Sequence, residues 1–183
     1  MPTLISHAMI GVSAGSAVAD GSMSPKFWAL SILCATIPDA DVLGFRFGIP
    51  YSHMFGHRGF FHSICFALVL GLFVTMVFFP QESIRTRRWW ILAGYFFSVA
   101  ASHGILDAFT NGGLGIALLA PFDNSRYFFQ HTPIQVAPIS IAAFFSTWGV
   151  RVIKSEIVWI WLPALLLMLA VRLGIRPAFF PRV

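Results

Sequence analysis

Long apolar segments that lack Asp, Glu, Lys and Arg follow one another along this sequence. Between Gly59 and Pro80 there is no Asp, Glu, Lys or Arg, and none occurs between Arg88 and Asp107. Over the whole chain only 10% of the residues are charged, whereas about a quarter of a soluble domain is charged. This pattern argues against a soluble enzyme and a disordered chain, and it predicts an integral membrane protein made of helices.

Six apolar segments are expected to form membrane helices, and proline or glycine follows several of them. We expect these helices at residues 3–19, 27–37, 60–79, 89–107, 134–150 and 157–173. Residues 114–120 are too few to span a membrane, and they are expected to form a re-entrant or surface element. Pro163 is expected to kink the last helix. The sequence thus predicts an all-α bundle of about six membrane helices that forms one domain over residues 1–183.

The ionisable groups that could do chemistry are predicted to lie at one end of this bundle. In an up-down bundle the start of the first helix, the end of the second, the start of the third and the end of the fourth face the same side. These ends carry His7, Asp39, Asp41, His57, His62, His103 and Asp107. The opposite end is expected to carry mainly Lys and Arg, together with Glu82 and Glu156. We therefore expect distant histidines and aspartates to converge at one membrane face.

Two pairs of residues have a spacing that bears on metal binding. His103 and Asp107 are four residues apart, so a helix projects both side chains from one face, where they can bind one ion or hydrogen-bond to each other. Asp39 and Asp41 follow Pro38 at a helix end, and both can reach one ion only where the backbone leaves the helix. The alternative is that one of the two carboxylates caps the helix and the other faces water.

The string His57-Arg58-Gly59-Phe60-Phe61-His62-Ser63 is the most distinctive motif of the chain. A helix N-terminus favours an anion, and the planar guanidinium of Arg58 suits phosphate or carboxylate. The alternative for Arg58 is a topology charge or a side chain that reaches the membrane surface. His62 can be a metal ligand, whereas His57 can be a ligand, a general acid or a residue that orients a ligand.

The donor types define the class of metal. Imidazoles mixed with carboxylates favour Zn²⁺, Mn²⁺ or Fe²⁺, and we expect zinc first, with one to three ions. The candidate ligands are His7, Asp39, Asp41, His62, His103 and Asp107. Cys34 and Cys65 lie inside apolar segments, so an iron–sulfur cluster is not expected. His53 and His131 are interpreted as structural or interfacial residues.

These motifs resemble the LexA-regulated, membrane-bound metal-dependent hydrolase family (YdjM-like). The resemblance covers about residues 3–140 and rests on Ser6-His7, Pro38-Asp39-Ala40-Asp41, the string from His57 to Ser63, Ser102-His103 with Asp107, and residues 121–133. The order His, Asp, His and His-x-x-x-Asp is in turn distantly similar to the zinc-dependent phospholipase C and single-strand nuclease superfamily. The resemblance implies a bacterial inner-membrane location and phosphoester hydrolysis, with His7, Asp39 or Asp41, His62, His103 and Asp107 as ligands.

The sequence therefore predicts a membrane-embedded hydrolase that acts on a phospholipid or another amphipathic phosphoester. The aspartate of the pair Asp39/Asp41 that is not a ligand could accept a proton, and Arg58 and Arg126 could neutralise phosphate charge. The net charge of +5 is attributed to lipid headgroups and topology, and no nucleic-acid partner is expected. The alternative is a transporter or metal-handling protein, although no internal repeat is visible. The oligomeric state stays open.

The distribution of basic residues bears on orientation. With six spans, the side opposite the site would hold Lys26, Arg85, Arg87, Arg88, Arg151 and Lys154, and the site side would hold Arg46, Arg58, Arg126, Arg172, Arg176 and Arg182. If Arg58 and Arg126 are set aside as functional, the count is six against four. This difference weakly favours a site on the non-cytoplasmic side.

Overall fold

The structure, a computed structural model, describes residues 1–19 and 23–174, and these residues form helices, turns and isolated bridges but no strand. The helices are α1 (Leu4–Val18), α2 (Pro25–Thr36), α3 (Ile64–Phe78), α4 (Arg87–Ala108), the short α5 (Ile141–Phe144), α6 (Thr147–Glu156) and α7 (Leu162–Arg172). Two 3₁₀ segments cover Ile37–Phe47 and Phe60–His62, and a π-helical turn, Ile157–Trp161, joins α6 to α7. The predicted all-α class is confirmed.

Several of these helices have the length and composition of membrane spans. Pro25–Phe47, Arg87–Ala108 and Thr147–Arg172 are long and apolar enough to cross a membrane, and α1 and α3 are shorter apolar helices. Large apolar side chains are exposed on α3 and α7, among them Met76 at 63% and Leu166 at 64%. Apolar surface of this extent is rare on soluble monomers. The chain is therefore built to face lipid.

The core lies where α1, α2 and α4 pack together. Phe27 and Phe96 are fully buried at its centre. The hydroxyl of Tyr95 lies 2.7 Å from Ser31 Oγ and 3.1 Å from the carbonyl oxygen of Gly11. Because a buried hydroxyl needs hydrogen-bond partners, Tyr95 on α4 fixes the positions of α1 and α2 relative to each other.

Side-chain caps mark the starts of two helices whose N-termini lie beside the predicted site. The Thr3 side chain accepts a hydrogen bond from the Ser6 N–H at the start of α1, and the Ser63 side chain accepts one from the Phe66 N–H at the start of α3. Such caps satisfy backbone donors that the helix leaves unpaired. At Pro38 the α2 helix gives way to a 3₁₀ segment, which carries both aspartates of the pair beyond α2.

The structure places the last two predicted segments differently. Residues 134–140 are not helical, and one continuous helical rod runs over Thr147–Arg172 instead of separate helices at 134–150 and 157–173. Pro138 interrupts the apolar stretch, and the backbone of Ile134 pairs with Phe109 and Asn111. The π-helical turn immediately precedes α7 and Pro163, which is a usual way for a helix to accommodate proline.

This arrangement puts Glu156 at the same end of the bundle as the predicted site, not at the opposite end. Its fully buried carboxylate accepts hydrogen bonds from the Thr3 N–H and from the hydroxyls of Thr3 and Ser6. Further along, the Ser13 hydroxyl donates to the Ala164 carbonyl oxygen at 3.0 Å. The α6–α7 rod therefore runs parallel to α1, and Glu156 anchors the start of α1 to it.

The course of the α6–α7 rod also changes which basic residues lie at each end of the bundle. Arg151 and Lys154 now belong to the end that carries the predicted site, and Arg172 belongs to the opposite end. With Arg58 and Arg126 again set aside, five described basic residues lie at the opposite end (Lys26, Arg85, Arg87, Arg88, Arg172) and three at the site end (Arg46, Arg151, Lys154). Arg176 and Arg182, which entered the count of basic residues made from the sequence, lie outside the described residues. By the positive-inside rule this count would favour a site on the non-cytoplasmic side, which stays a prediction.

Thiol labelling is expected to reveal this orientation. In a Cys65→Ser background, Ser52→Cys should react with a membrane-impermeant maleimide added to intact spheroplasts, because Ser52 is exposed at the site end. The matched variant Ser83→Cys lies in the exposed loop between α3 and α4 and should react only after permeabilisation. The opposite labelling pattern would place the site on the cytoplasmic side.

Candidate metal centre

Four buried side chains from different parts of the chain meet at one end of the bundle. Asp39, His62, His103 and Asp107 each offer one ligand atom, and these atoms all lie within 4.8 Å of one another. His62 Nε2 lies 3.4 Å from Asp39 Oδ1 and 3.5 Å from Asp107 Oδ2, and His103 Nε2 lies 3.3 Å from Asp39 Oδ1. None of the four is more than 4% exposed. We call these four residues the metal cluster.

The ring nitrogens of the two histidines divide between supporting contacts and the cluster. His103 Nδ1 lies 2.7 Å from the Ala35 carbonyl oxygen, and His62 Nδ1 lies 3.1 Å from Asp41 Oδ2. The carbonyl oxygen can only accept, so His103 Nδ1 is the donor and its Nε2 presents a lone pair. The Nε2 atoms of His103 and His62 are 3.2 Å apart, a distance at which one proton or one metal ion can lie between them.

This separation also matches the geometry of a metal site. Two nitrogen ligands of a tetrahedral zinc ion, each at its usual bond length, lie about 3.3 Å apart. Metal-binding histidines commonly donate the other ring N–H to a carbonyl or carboxylate, as His103 does here to Ala35. The donor set of two imidazoles and two carboxylates therefore fits a divalent cation.

Several buried polar atoms around the metal cluster have no hydrogen-bond partner within residues 1–19 and 23–174. They are both ring nitrogens of His7, both carboxylate oxygens of Asp39 and of Asp107, His62 Nδ1 and Arg58 Nε. A buried unpaired polar atom costs about 1–3 kcal/mol, and buried carboxylates are normally paired or bound to metal. Their concentration in one place is a second, independent sign of a cation site.

The electrostatics of the cluster favour positive charge. Burial by itself lowers the pKa of His62, but the carboxylates of Asp39 and Asp41 outweigh burial and raise this pKa to about 9. A proton and a metal ion compete for the same imidazole lone pair. The surroundings that hold a proton on His62 therefore also suit a cation.

His7 lies immediately beside the metal cluster. Its Nε2 is 3.4 Å from Asp107 Oδ1, and its ring stacks on that of His103 with 3.8 Å between the centroids. The first turn of α1 carries His7, and Glu156 anchors this turn through Thr3 and Ser6. The structure thus brings His7 to the place where the sequence predicted a ligand.

The two aspartates of the pair have different surroundings. Asp39 belongs to the metal cluster, whereas Asp41 groups with His57 and His62. Asp41 Oδ1 lies 2.7 Å from His57 Nδ1, and Asp41 Oδ2 accepts a hydrogen bond of 3.1 Å from the Arg58 N–H. Asp41 therefore contacts ring nitrogens of both His57 and His62. A carboxylate in this position commonly orients a metal-binding imidazole through the ring nitrogen that does not bind the metal.

Arg58 is buried in an unusual backbone conformation. Its φ of 64° lies in the left-handed region, which is uncommon for a residue other than glycine and is found at functional sites. Its guanidinium donates to the Gly112 carbonyl oxygen and to Thr110 Oγ1, and its Nε lies 3.5 Å from Asp107 Oδ2. Gly113 also has a positive φ, and a Cβ there would lie 2.6 Å from Arg58 Nη1. Arg58 is therefore held against Asp107 by the loop after α4.

Arg126 contacts backbone carbonyls and not the metal cluster. It donates to the carbonyl oxygens of His57, Tyr51 and His53, and its guanidinium lies over the Tyr51 ring. Arg126 thereby holds the loop that carries His57, and its predicted role towards a phosphate stays a prediction. We therefore treat Arg126 as a positioning residue.

Sequence reasoning missed other residues that shape this site. Thr110 and Gly112 bind Arg58, although the glycine pair after α4 was interpreted only as a helix stop. At Gly104, a Cβ would lie 2.2 Å from the His62 carbonyl oxygen, so glycine lets α4 approach closely and brings His103 to His62. His53 and His131 lie outside the cluster: His53 accepts from the Phe55 N–H, and the ring of His131 packs near Trp159.

Comparisons with known proteins bear on this region. The family model described as YdjM inner membrane protein matches residues 1–179. The chain is 38% identical over 173 residues to Inner membrane protein YbcI of Escherichia coli (strain K12), covering 92% of this chain and 95% of that protein. It is 36% identical over 124 residues to Uncharacterized protein YvsG of Bacillus subtilis (strain 168), covering 63% of this chain and 71% of that protein. No solved structure matches the chain. The family match includes every residue of the metal cluster.

Proposed function

This chain belongs to the YdjM inner membrane protein family, and we propose that it is a metal-dependent hydrolase whose substrate is an amphipathic phosphoester. The chain is an inner membrane protein, as the sequence predicted. The observation that carries the proposal is the convergence of His62 Nε2 and His103 Nε2, 3.2 Å apart, beside two buried carboxylates. Regulation by LexA and the distant likeness to zinc-dependent phospholipase C stay predictions of the sequence motifs.

Asp39, His62, His103 and Asp107 would hold the ion, and His7 is close enough to join them. Zinc is the first choice for this set of nitrogen and oxygen donors, with Mn²⁺ or Fe²⁺ as alternatives. When bound, the ion supplies Lewis acidity, which activates water and offsets charge on a phosphoryl group. We propose one ion. A second ion would take His57 and Asp41 as ligands, but His57 Nδ1 lies 2.7 Å from Asp41 Oδ1, which is the distance of a hydrogen bond.

His57 is the proposed proton acceptor, in place of an aspartate of the pair Asp39/Asp41. Asp41 binds its Nδ1, so its Nε2 is the ring nitrogen left to take up a proton, as in other histidines that a carboxylate orients. In the reaction, water gives a hydroxyl to phosphorus and its proton to His57 while the bond from phosphorus to the leaving oxygen breaks. His57 then returns the proton to that oxygen, and the histidine is restored.

Arg58 supplies positive charge next to the metal cluster. A guanidinium has five N–H donors, and two of the nitrogens of Arg58 are bound to Gly112 and Thr110. Arg58 lines a cavity together with Tyr51, His57 and Gly113. A phosphoryl group that lies between this cavity and the metal cluster would be close to the positive charge of Arg58. This charge would stabilise the negative charge that develops on the phosphoryl oxygens during the reaction.

An assay of the purified protein in detergent tests the proposed function. Lipid and soluble phosphoesters should be hydrolysed by the metal-loaded protein, and the activity should disappear with EDTA and return with zinc. If the metal-loaded protein hydrolyses no phosphoester, the proposal is wrong. Uptake of metal into sealed vesicles without hydrolysis would instead support the metal-transport alternative.

Arg58→Lys is expected to lower kcat/KM for phosphoesters roughly a hundredfold, the size of effect that follows loss of one electrostatic donor. Lysine keeps the charge but cannot bind Gly112 and Thr110 while also facing Asp107. The metal content should stay the same, as it should in the matched variant Arg85→Lys, which lies at the other end of the bundle. Full activity would make Arg58 an anchor of the fold only, and loss of metal would mean that Arg58 holds Asp107 in place.

A further inference from the structure

Two cavities of about 350 Å³ each lie beside the metal cluster, a volume within the range of small-molecule sites. The first, which we call the tail groove, lies between the start of α1, Asp39, Val42 and the residues around α5. The second, which we call the polar cavity because Tyr51, His57 and Arg58 line one part of it, is otherwise lined mainly by apolar residues such as Val136 and Trp148. Asp39 of the metal cluster thus lines one cavity, and the proposed proton acceptor lines the other.

One segment separates the two cavities. Residues 137–140 line both, as does Met1, and the Ala137 N–H donates to the Met1 carbonyl oxygen at 2.9 Å. Beyond this segment, Ile141 and Phe144 line the tail groove, whereas Ala143 lines the polar cavity. We call residues 137–144 the divider.

The tail groove leads from the metal cluster to an apolar surface. Leu4, Ile5 and Ile141, which line it, are 51%, 61% and 78% exposed. The charged side chain that lines it is that of Asp39, which is 4% exposed and belongs to the metal cluster. A groove with this lining favours a hydrocarbon chain, and one end of it reaches the residues that would hold the metal.

We propose that the substrate is a lipid phosphoester that lies across the divider, with its hydrocarbon tail in the tail groove and its polar part in the polar cavity. This inference rests on the proposed function. A phosphoester of this kind carries an apolar substituent and anionic oxygens on one phosphorus atom. The apolar lining of the tail groove suits the hydrocarbon substituent, and the buried guanidinium of Arg58 suits the anionic oxygens. Asp39 of the metal cluster lines the tail groove.

A variant that narrows the groove tests this placement. Leu4→Trp puts a larger ring at the start of the groove and should displace part of the tail. The ratio of kcat/KM for a long-chain phospholipid to kcat/KM for bis(4-nitrophenyl) phosphate, which has no tail, should fall about tenfold, the effect of removing roughly two methylene groups from an apolar site. The matched variant Leu166→Trp lies on the exposed face of α7 and should leave the ratio unchanged.

An unchanged ratio in Leu4→Trp would overturn the inference, while hydrolysis of the tail-less ester would still support the proposed function. A second measurement applies if the wild-type protein hydrolyses neither ester. A phospholipid with a photoreactive diazirine in its chain should label peptides containing residues 1–8 and 139–144, and Leu4→Trp should weaken this labelling. Labelling confined to α3 and α7, and unchanged in Leu4→Trp, would show that the groove holds no tail.

Discussion

The His62→Ala variant is expected to lose the bound metal and the phosphoesterase activity together. His62 Nε2 lies within 3.5 Å of both Asp39 and Asp107, and its Nδ1 faces Asp41. The substitution removes one of four donors and also leaves Asp41 without one of its partners. Removal of a residue that only supports a ligand lowers metal affinity by roughly 10–100-fold, so loss of this ligand should lower it further. Metal content by mass spectrometry and the phosphoesterase assay measure both effects.

His131→Ala is the matched control for this substitution. His131 lies near Trp159 and away from the cluster residues it would need to join, so its removal should change neither metal content nor activity. Both variants should elute as single species in detergent. A folded His62→Ala protein that keeps its metal would contradict the assignment of His62.

The His57→Gln variant is expected to lose activity but keep its metal. Glutamine can still donate a hydrogen bond to Asp41, but it cannot take up a proton at neutral pH. General acid–base catalysis contributes about 10²–10⁴-fold to a rate, and kcat should fall by an amount in this range. The metal cluster of Asp39, His62, His103 and Asp107 does not include His57, so the metal content should equal that of the wild-type protein.

His53→Gln changes a histidine in the same loop and should keep full activity. Among the described residues the His53 ring hydrogen-bonds only to the Phe55 N–H, and the substitution keeps the backbone carbonyl oxygen that Arg126 binds. Two results for His57→Gln would overturn the assignment of His57 as the proton acceptor. Undiminished activity would mean that an aspartate of the pair Asp39/Asp41 accepts the proton, as the sequence predicted. Loss of metal would make His57 a ligand of a second ion together with Asp41 and His62.

The convergence of the histidines and aspartates could be predicted because it depends on helix order alone. His7, Asp39, His62 and Asp107 lie near helix ends, and alternate ends of successive helices in an up-down bundle share one side. The spacing of His103 and Asp107 placed them on one helix face. These features need no knowledge of loops or of the angles between helices.

The separate roles of the residues could not be predicted in this way. Asp39 and Asp41 are two residues apart, and only the 3₁₀ geometry of Ile37–Phe47 sends one to the metal cluster and the other to His57. The left-handed conformation of Arg58 sets its contacts with Asp41 and Asp107. Such details depend on tertiary contacts that no local pattern encodes.

The region after α4 was the least predictable part of the fold. Residues 134–150 have the composition of a membrane helix, yet tertiary hydrogen bonds hold Ile134 and Ala137 in an extended path. As a result, the α6–α7 rod runs parallel to α1, and Glu156 lies at the site end of the bundle instead of the predicted opposite end. The divider, and with it the two cavities, could therefore be found only in the folded chain.

The number of divalent ions bound to the purified protein tests the central claim most directly. We predict about one Zn²⁺, Mn²⁺ or Fe²⁺ ion per chain in protein purified without chelator, since the four buried donors fit one ion. His103→Ala should remove this ion while the protein stays folded, because His103 is one of the four buried residues whose ligand atoms meet there. Wild-type protein that binds no divalent metal, or a His103→Ala variant with unchanged metal content, would contradict the account.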